Sequence, residues 1–160
     1  MKHAIVGATV ALFAAAVAFG GGCSSPPPSA HSFTEVYNTI IQPNAVSTGC
    51  TSAFCHYAGV GIRYSALDMS SPVVAYWNLV GQPCIGPLCG GMMTTRVVPF
   101  HPEESIMYLK VQPLPPCGSQ MPADVTVLID TGEAQFSGKT LTPDQLNLLK
   151  EWINEGAQNN

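Results

Sequence analysis

The sequence predicts a mostly α domain over residues 32–157, with four main helices, long irregular loops and one small β-hairpin. Three observations predict it. Capped amphipathic segments stand at both ends of that region. A Ser71-Pro72 pair opens a further helix between them, and the connecting stretches hold many of the chain's 15 glycines and 14 prolines. Proline removes a backbone donor and glycine adds backbone entropy to be lost, so neither sustains long helices or central strands.

The elements follow in chain order. Met1-Lys2-His3 gives a short basic start, residues 4–19 are apolar and uncharged, and Gly20-Gly21-Gly22-Cys23 follows. The run is short for a bilayer span and ends in small residues, which reads as an export signal over residues 1–22. It resembles a bacterial lipoprotein signal, with Cys23 as the acylated residue and Gly20 where such signals usually carry leucine. Ordinary cleavage near Ala18 or Gly20, leaving Cys23 a thiol, is the alternative. Residues 23–31, with Pro26-Pro27-Pro28, form an extended tether, and His31 at its end is expected in solvent.

Ser32-Phe33-Thr34-Glu35 has the form of a capping box, and Phe33, Val36, Tyr37, Ile40 and Ile41 then line one helical face until Pro43. Ser71 as N-cap and Pro72 at the first helical position start a helix through Val80, closed by Gly81. Val73, Tyr76, Trp77 and Val80 are its expected buried stripe. Residues 82–95 are irregular and 96–100 extended. Pro102 starts a short helix through Val111, with Glu103 and Glu104 in the first turn, where the helix dipole favours acids. Residues 114–122 can be neither helix nor central strand and form a loop that carries Met121 ahead of Pro122. Residues 125–129 and 133–136 flank Asp130-Thr131-Gly132 as the hairpin. Thr142, Pro143 and Gln145 then cap the last helix, with Leu146, Leu149, Trp152 and Ile153 facing inward, Gly156 ending it and residues 158–160 as a tail.

Composition narrows the function. Beyond the export signal, five basic side chains stand against ten acidic ones, a balance that disfavours nucleic acid, whose phosphates are neutralised by Lys and Arg. Six cysteines in an exported chain point to an oxidising compartment. The chain holds no Gly-Xaa-Ser-Xaa-Gly, no phosphate-cradling loop and no His-Glu-Xaa-Xaa-His, so catalysis and a small-molecule substrate are not expected.

The chemistry concentrates in Gly49-Cys50-Thr51-Ser52-Ala53-Phe54-Cys55-His56. Covalent haem c attachment needs two thiols and an imidazole directly after the second. Here four residues rather than the usual two separate the cysteines, and the Cys-His adjacency is kept. A local Cys50–Cys55 disulfide beside a surface histidine, or another metal, are the alternatives. Met121 is the leading candidate for the opposite axial ligand, against a plain packing role. His101, which would make a bis-histidine site, and Met92-Met93 are the others. Cys84 and Cys89 repeat the Cys50–Cys55 spacing without a following histidine, so a single haem is expected. If Cys23 is acylated and two thiols hold haem, Cys84, Cys89 and Cys117 remain for one disulfide and one leftover thiol. A bridge from Cys117 to Cys89 or Cys84 would pin the Met121 loop.

Together these parts resemble the small bacterial cytochromes c, and within them the planctomycete-type domains. The resemblance rests on Cys55-His56, Met121-Pro122, Val98-Pro99-Phe100-His101-Pro102-Glu103-Glu104-Ser105 and Trp152-Ile153-Asn154-Glu155-Gly156-Ala157. It departs in the Cys-Cys spacing, in Phe100-His101 where those domains carry Gly-Asp, and in the stretch after Met121. It implies a cytochrome c-like fold and a one-haem electron carrier with His56 and Met121 as axial ligands. Redox partner proteins are then expected, with a lipid-anchored location on the periplasmic side of the cell envelope, as for an outer-membrane lipoprotein. The rival reading is a haem-free lipoprotein that uses the same scaffold, with a Cys50–Cys55 disulfide, as an interaction module.

Overall fold

The computed structural model describes residues 29–42, 50–51, 56, 67–86, 88–92, 94–127 and 134–160, with side chains left undescribed at 124–127 and 134–137. The export signal, Cys23, most of the tether, Cys55 and Met93 lie outside the described residues.

Ser32 caps the first helix as its sequence predicts, its Oγ accepting from the Glu35 amide at 3.1 Å. Helix α1 (Phe33–Val36) then widens into a π-helical turn, Tyr37–Ile41, closed by the Gln42 amide donating to the Tyr37 carbonyl at 2.6 Å. Phe33, Val36, Tyr37, Ile40 and Ile41 are all buried, the face that the periodicity predicts.

Helix α2 (Pro72–Leu79) starts at Ser71, whose Oγ accepts from the Val74 amide, and stops before Gly81, which sits at φ +69°. Its buried face differs from the expected stripe. Ala75 and Leu79 are buried, Tyr76 and Val80 pack against the core in part, and Val73 and Trp77 are exposed. In Pro-Val-Val-Ala-Tyr-Trp-Asn-Leu nearly every position is apolar, so periodicity defines no unique face; the small Ala75 permits the close approach.

The expected helix after Pro102 is two pieces, a 3₁₀ turn at Pro102–Glu104 and helix α3 (Ile106–Lys110). The break is at buried Ser105, whose backbone is extended and whose Oγ accepts from the Val98 amide at 2.8 Å and donates to the His101 carbonyl at 2.9 Å. Strands β1 (Ala123–Val127) and β2 (Ala134–Gly138) pair antiparallel, with Ala123 opposite Gly138. The expected hairpin is thus present, its first strand starting two residues early.

Helix α4 (Pro143–Asn154) has the full capping box between Thr142 and Gln145. Leu148, Leu149, Trp152 and Ile153 are buried, while Leu146 is only half-buried. Among the described residues helical segments outweigh the one hairpin, so the domain is mostly α. α4 closes on α1 and α3, and Phe33 packs on Trp152 with ring centroids 5.2 Å apart.

The first described residues meet the last residue of the chain there too. The Phe33 amide donates to Asn160 Oδ1 at 3.1 Å, and Thr34 bonds the Asn160 carbonyl through both backbone and side chain. His31, expected in solvent, is instead half-buried and paired with Glu155 at 2.9 Å. That contact joins residues 124 apart, which no local pattern could reveal. The His31 amide, which donates to Glu155 Oε2 at 2.9 Å, holds that carboxyl below its ordinary range, and the ring contact adds to the effect.

Candidate functional site

The π turn and α2 frame one side of a cavity of about 380 Å³; α3, the 84–89 segment and the 118–123 loop frame the rest. Its wall is apolar, with Ile40, Leu67, Met69, Leu79, Ile106 and Val111 among the lining. Cys50 and His56, close in sequence, and the distant Met121 line this same cavity.

Cys50 and His56 are fixed by their backbones. The His56 amide donates to the Cys50 carbonyl at 2.8 Å, and the Met69 amide donates to the His56 carbonyl at 2.9 Å. Thr51 Oγ1 reaches the Ile41 carbonyl, while the Tyr37 hydroxyl holds the Met69 carbonyl at 3.1 Å. The π turn therefore positions both ends of the Cys50–His56 segment.

His56 is half-buried, and its pKa is lowered to about 4 by desolvation, with the charges of Arg96 and Lys110 acting in the same direction. A hydrogen bond to the Leu67 backbone opposes the desolvation and outweighs either of those charges taken singly. The ring is thus neutral at pH 7. Neutral imidazole is the metal-binding form, and a ring N–H bonded to a backbone carbonyl is the usual device that orients such a ligand.

Met121 is half-buried. Its amide donates to the Lys110 carbonyl at 2.7 Å, and the Pro122 carbonyl accepts from the Lys139 amide at 2.7 Å, so backbone bonds grip the loop on both sides of the thioether. Of the two disulfide partners left open for Cys117, the structure takes Cys89, with Cα atoms 5.4 Å apart. Cys84 stands outside that bridge and lines the cavity. The bridge and Lys110 together brace the turn before Met121: Lys110 Nζ donates to the Cys117 carbonyl at 2.9 Å and also to that of Ser119.

The other axial candidates that are described, His101 and Met92, lie elsewhere. His101 is exposed beside Glu104 and does not line the cavity. Met92 is exposed and borders a separate hollow with Thr94 and Pro116. Among the described residues no three His, Cys, Asp or Glu side chains come together as a cage for a bare metal ion.

Two cavity residues were missed from sequence, Arg96 and Lys110. Both are pushed down from their ordinary pKa by burial, and Arg96 donates to the Asn78 carbonyl at 2.6 Å. A signal existed: the whole chain has only six Lys and Arg, so a cation near the candidate ligands was a marked choice. Among the described residues no helix is long and apolar enough to cross a membrane. Comparisons of the chain with protein families, curated proteins and solved structures find no match.

Proposed function

We propose that the protein is a one-haem c-type cytochrome, an electron carrier of the cell envelope, with haem attached through Cys50 and Cys55 and with His56 and Met121 as axial ligands. The observation that carries this reading is the convergence of Cys50, His56 and Met121 on one apolar cavity. The residues present suit the group. A cavity of about 380 Å³ is of the size that holds a cofactor. A macrocycle brings four nitrogen ligands of its own and asks the protein for one ligand on each face. That demand fits a histidine and a methionine without a cage of carboxylates. Arg96 and Lys110, which share the wall, would be the cationic partners of the carboxylates that haem carries.

Haem supplies the one-electron couple, and the protein's residues tune it. His56, kept neutral by burial, offers a nitrogen at neutral pH without first losing a proton. The Met121 thioether favours the ferrous state and raises the potential. Apolar walls exclude water and disfavour the added charge of ferric iron. With His56 and Met121 both holding the haem, no position would be left open for a substrate, so the role would be transfer to partner proteins. Ile85 and Leu88 are exposed and also line the cavity, which gives such partners an apolar contact beside it.

The test is expression with a functional haem-attachment system, followed by absorption and intact mass after denaturation. The expected product has a Soret band and keeps the mass of one haem. His56→Ala should abolish the low-spin spectrum, while His101→Ala should leave it intact. A colourless product with an intact Cys50–Cys55 disulfide would instead establish the haem-free interaction module.

A further inference from the structure

Val73 and Trp77 stand one turn apart on α2 and are 64% and 65% exposed, and the whole helix, Pro72–Leu79, carries no charged residue. Their position relative to the start of the described chain gives this patch meaning. Ser29 is fixed on the domain, its Oγ donating to the His31 carbonyl at 2.9 Å and accepting from Asn160 Nδ2 at 2.8 Å. His31 is held by Glu155. A little further on, the Phe33 ring lies 5.3 Å from that of Tyr76, and Tyr76 lies 5.5 Å from the Trp77 ring. The tether therefore joins the domain within two ring contacts of the exposed tryptophan.

Only six residue steps separate Cys23 from Ser29, a reach of at most about 20 Å even when fully extended. An acyl group on Cys23 keeps the domain's entry point within that distance of the bilayer. We propose that Val73 and Trp77 form a membrane-contact patch, through which the anchored domain lies against the lipid headgroup region; the inference rests on reading Cys23 as acylated. Tryptophan favours the membrane interface, where its apolar ring and polar N–H are both accommodated. A helix without Asp or Glu meets anionic headgroups without repulsion. Two apolar side chains alone would bind vesicles weakly, but a short tether makes the contact intramolecular and raises the effective lipid concentration. A second copy of the chain has no comparable constraint holding it near this face.

The test uses the full chain, exported and processed in cells, then reconstituted into phosphatidylethanolamine–phosphatidylglycerol vesicles with a photoactivatable lipid whose carbene forms near the headgroup. Lipid adducts are mapped by peptide mass, a readout that bound haem does not disturb. Adducts are expected on the peptide that contains Val73 and Trp77, and they should be lost in Val73→Ser/Trp77→Ser. Both changes are on the surface, and unchanged circular dichroism checks the fold. The mass of the N-terminal peptide reads the anchor separately. An unacylated Cys23 removes the anchored reading and this inference with it. An acylated Cys23 with adducts confined to the tether overturns this inference alone. A Trp77 peptide free of lipid adducts, together with a dimer trapped by a protein–protein cross-linker in the same vesicles, would assign the patch to self-association and also overturn it.

Discussion

Met121 is a side chain whose two possible roles separate cleanly by experiment. As an iron ligand, its replacement in Met121→Ala should leave haem attached, because Cys50, Cys55 and His56 are untouched. The sulfur-to-iron band in the near infrared should vanish, cyanide should bind more readily, and the potential should fall. As a packing residue it would cost only stability, up to about 2–5 kcal/mol for a fully buried methionine, with the spectrum unchanged. Its half-buried position puts the packing loss at the low end, so a spectrum and potential matching the parent would remove Met121 from the site. Ser105 makes a different prediction at the same scale. It is fully buried and accepts from the Val98 amide, so Ser105→Ala strands a backbone donor. A loss of about 1–3 kcal/mol in denaturant unfolding is expected, with the haem spectrum unaltered. Cys50, His56 and Met121 were legible in the sequence because their chemistry lies in residue type and local order. Arg96 and Lys110 were not, since their relation to the cavity depends on the loop at 82–95 and on α3 packing together.

At the level of elements, caps read well and faces read unevenly. Thr142-Pro143 and Ser71-Pro72 mark helix starts because the partners that satisfy the first backbone donors lie within three residues. The face of α2 failed because an almost wholly apolar helix offers no contrast, and the neighbour that selects Ala75 and Leu79 is distant in sequence. Phe100 is another such case. It sits at φ +70° where the resembled domains carry glycine, and its ring lies so close to Gly156 that a Cβ there would approach it to 2.7 Å. The Phe100 amide bonds the Ile153 carbonyl at 2.7 Å, which fastens this turn to the end of α4. The Cys89–Cys117 bridge joins two irregular stretches across a sequence separation of 28. Loop-closure entropy for that length gives about 3–4 kcal/mol. Cys117→Ser should therefore lower the unfolding midpoint. Because the bridge also braces the turn ahead of Met121, it should weaken the methionine-ligand band as well. A stability loss with an unchanged band would show that Lys110 and the backbone bonds hold the loop by themselves.

At the scale of the whole molecule, two of the described groups couple stability to pH on the acid side of neutrality, and they act in separate windows. Glu155, held below its ordinary range by His31, supports the clasp between tether and α4 above the normal carboxylate pKa. Its contribution is lost as pH falls through the lowered value, at the acid extreme. His56 acts earlier. In the haem-free protein its pKa is about 4 when folded against an ordinary 6.5, so between those values the unfolded chain binds the extra proton. The unfolded state then gains as pH falls, and stability should decline from about pH 6.5 toward 4 by an amount of the order of 3 kcal/mol. Denaturant unfolding of haem-free protein at pH 7 and pH 4.5 should show most of this loss, and His56→Ala should flatten the slope. With haem attached, the ligated nitrogen is unavailable to a proton until acid competes successfully with iron. The acid transition should accordingly move to lower pH and coincide with loss of the low-spin spectrum. A haem-loaded protein with the same pH dependence as the haem-free one would mean that His56 does not hold the iron.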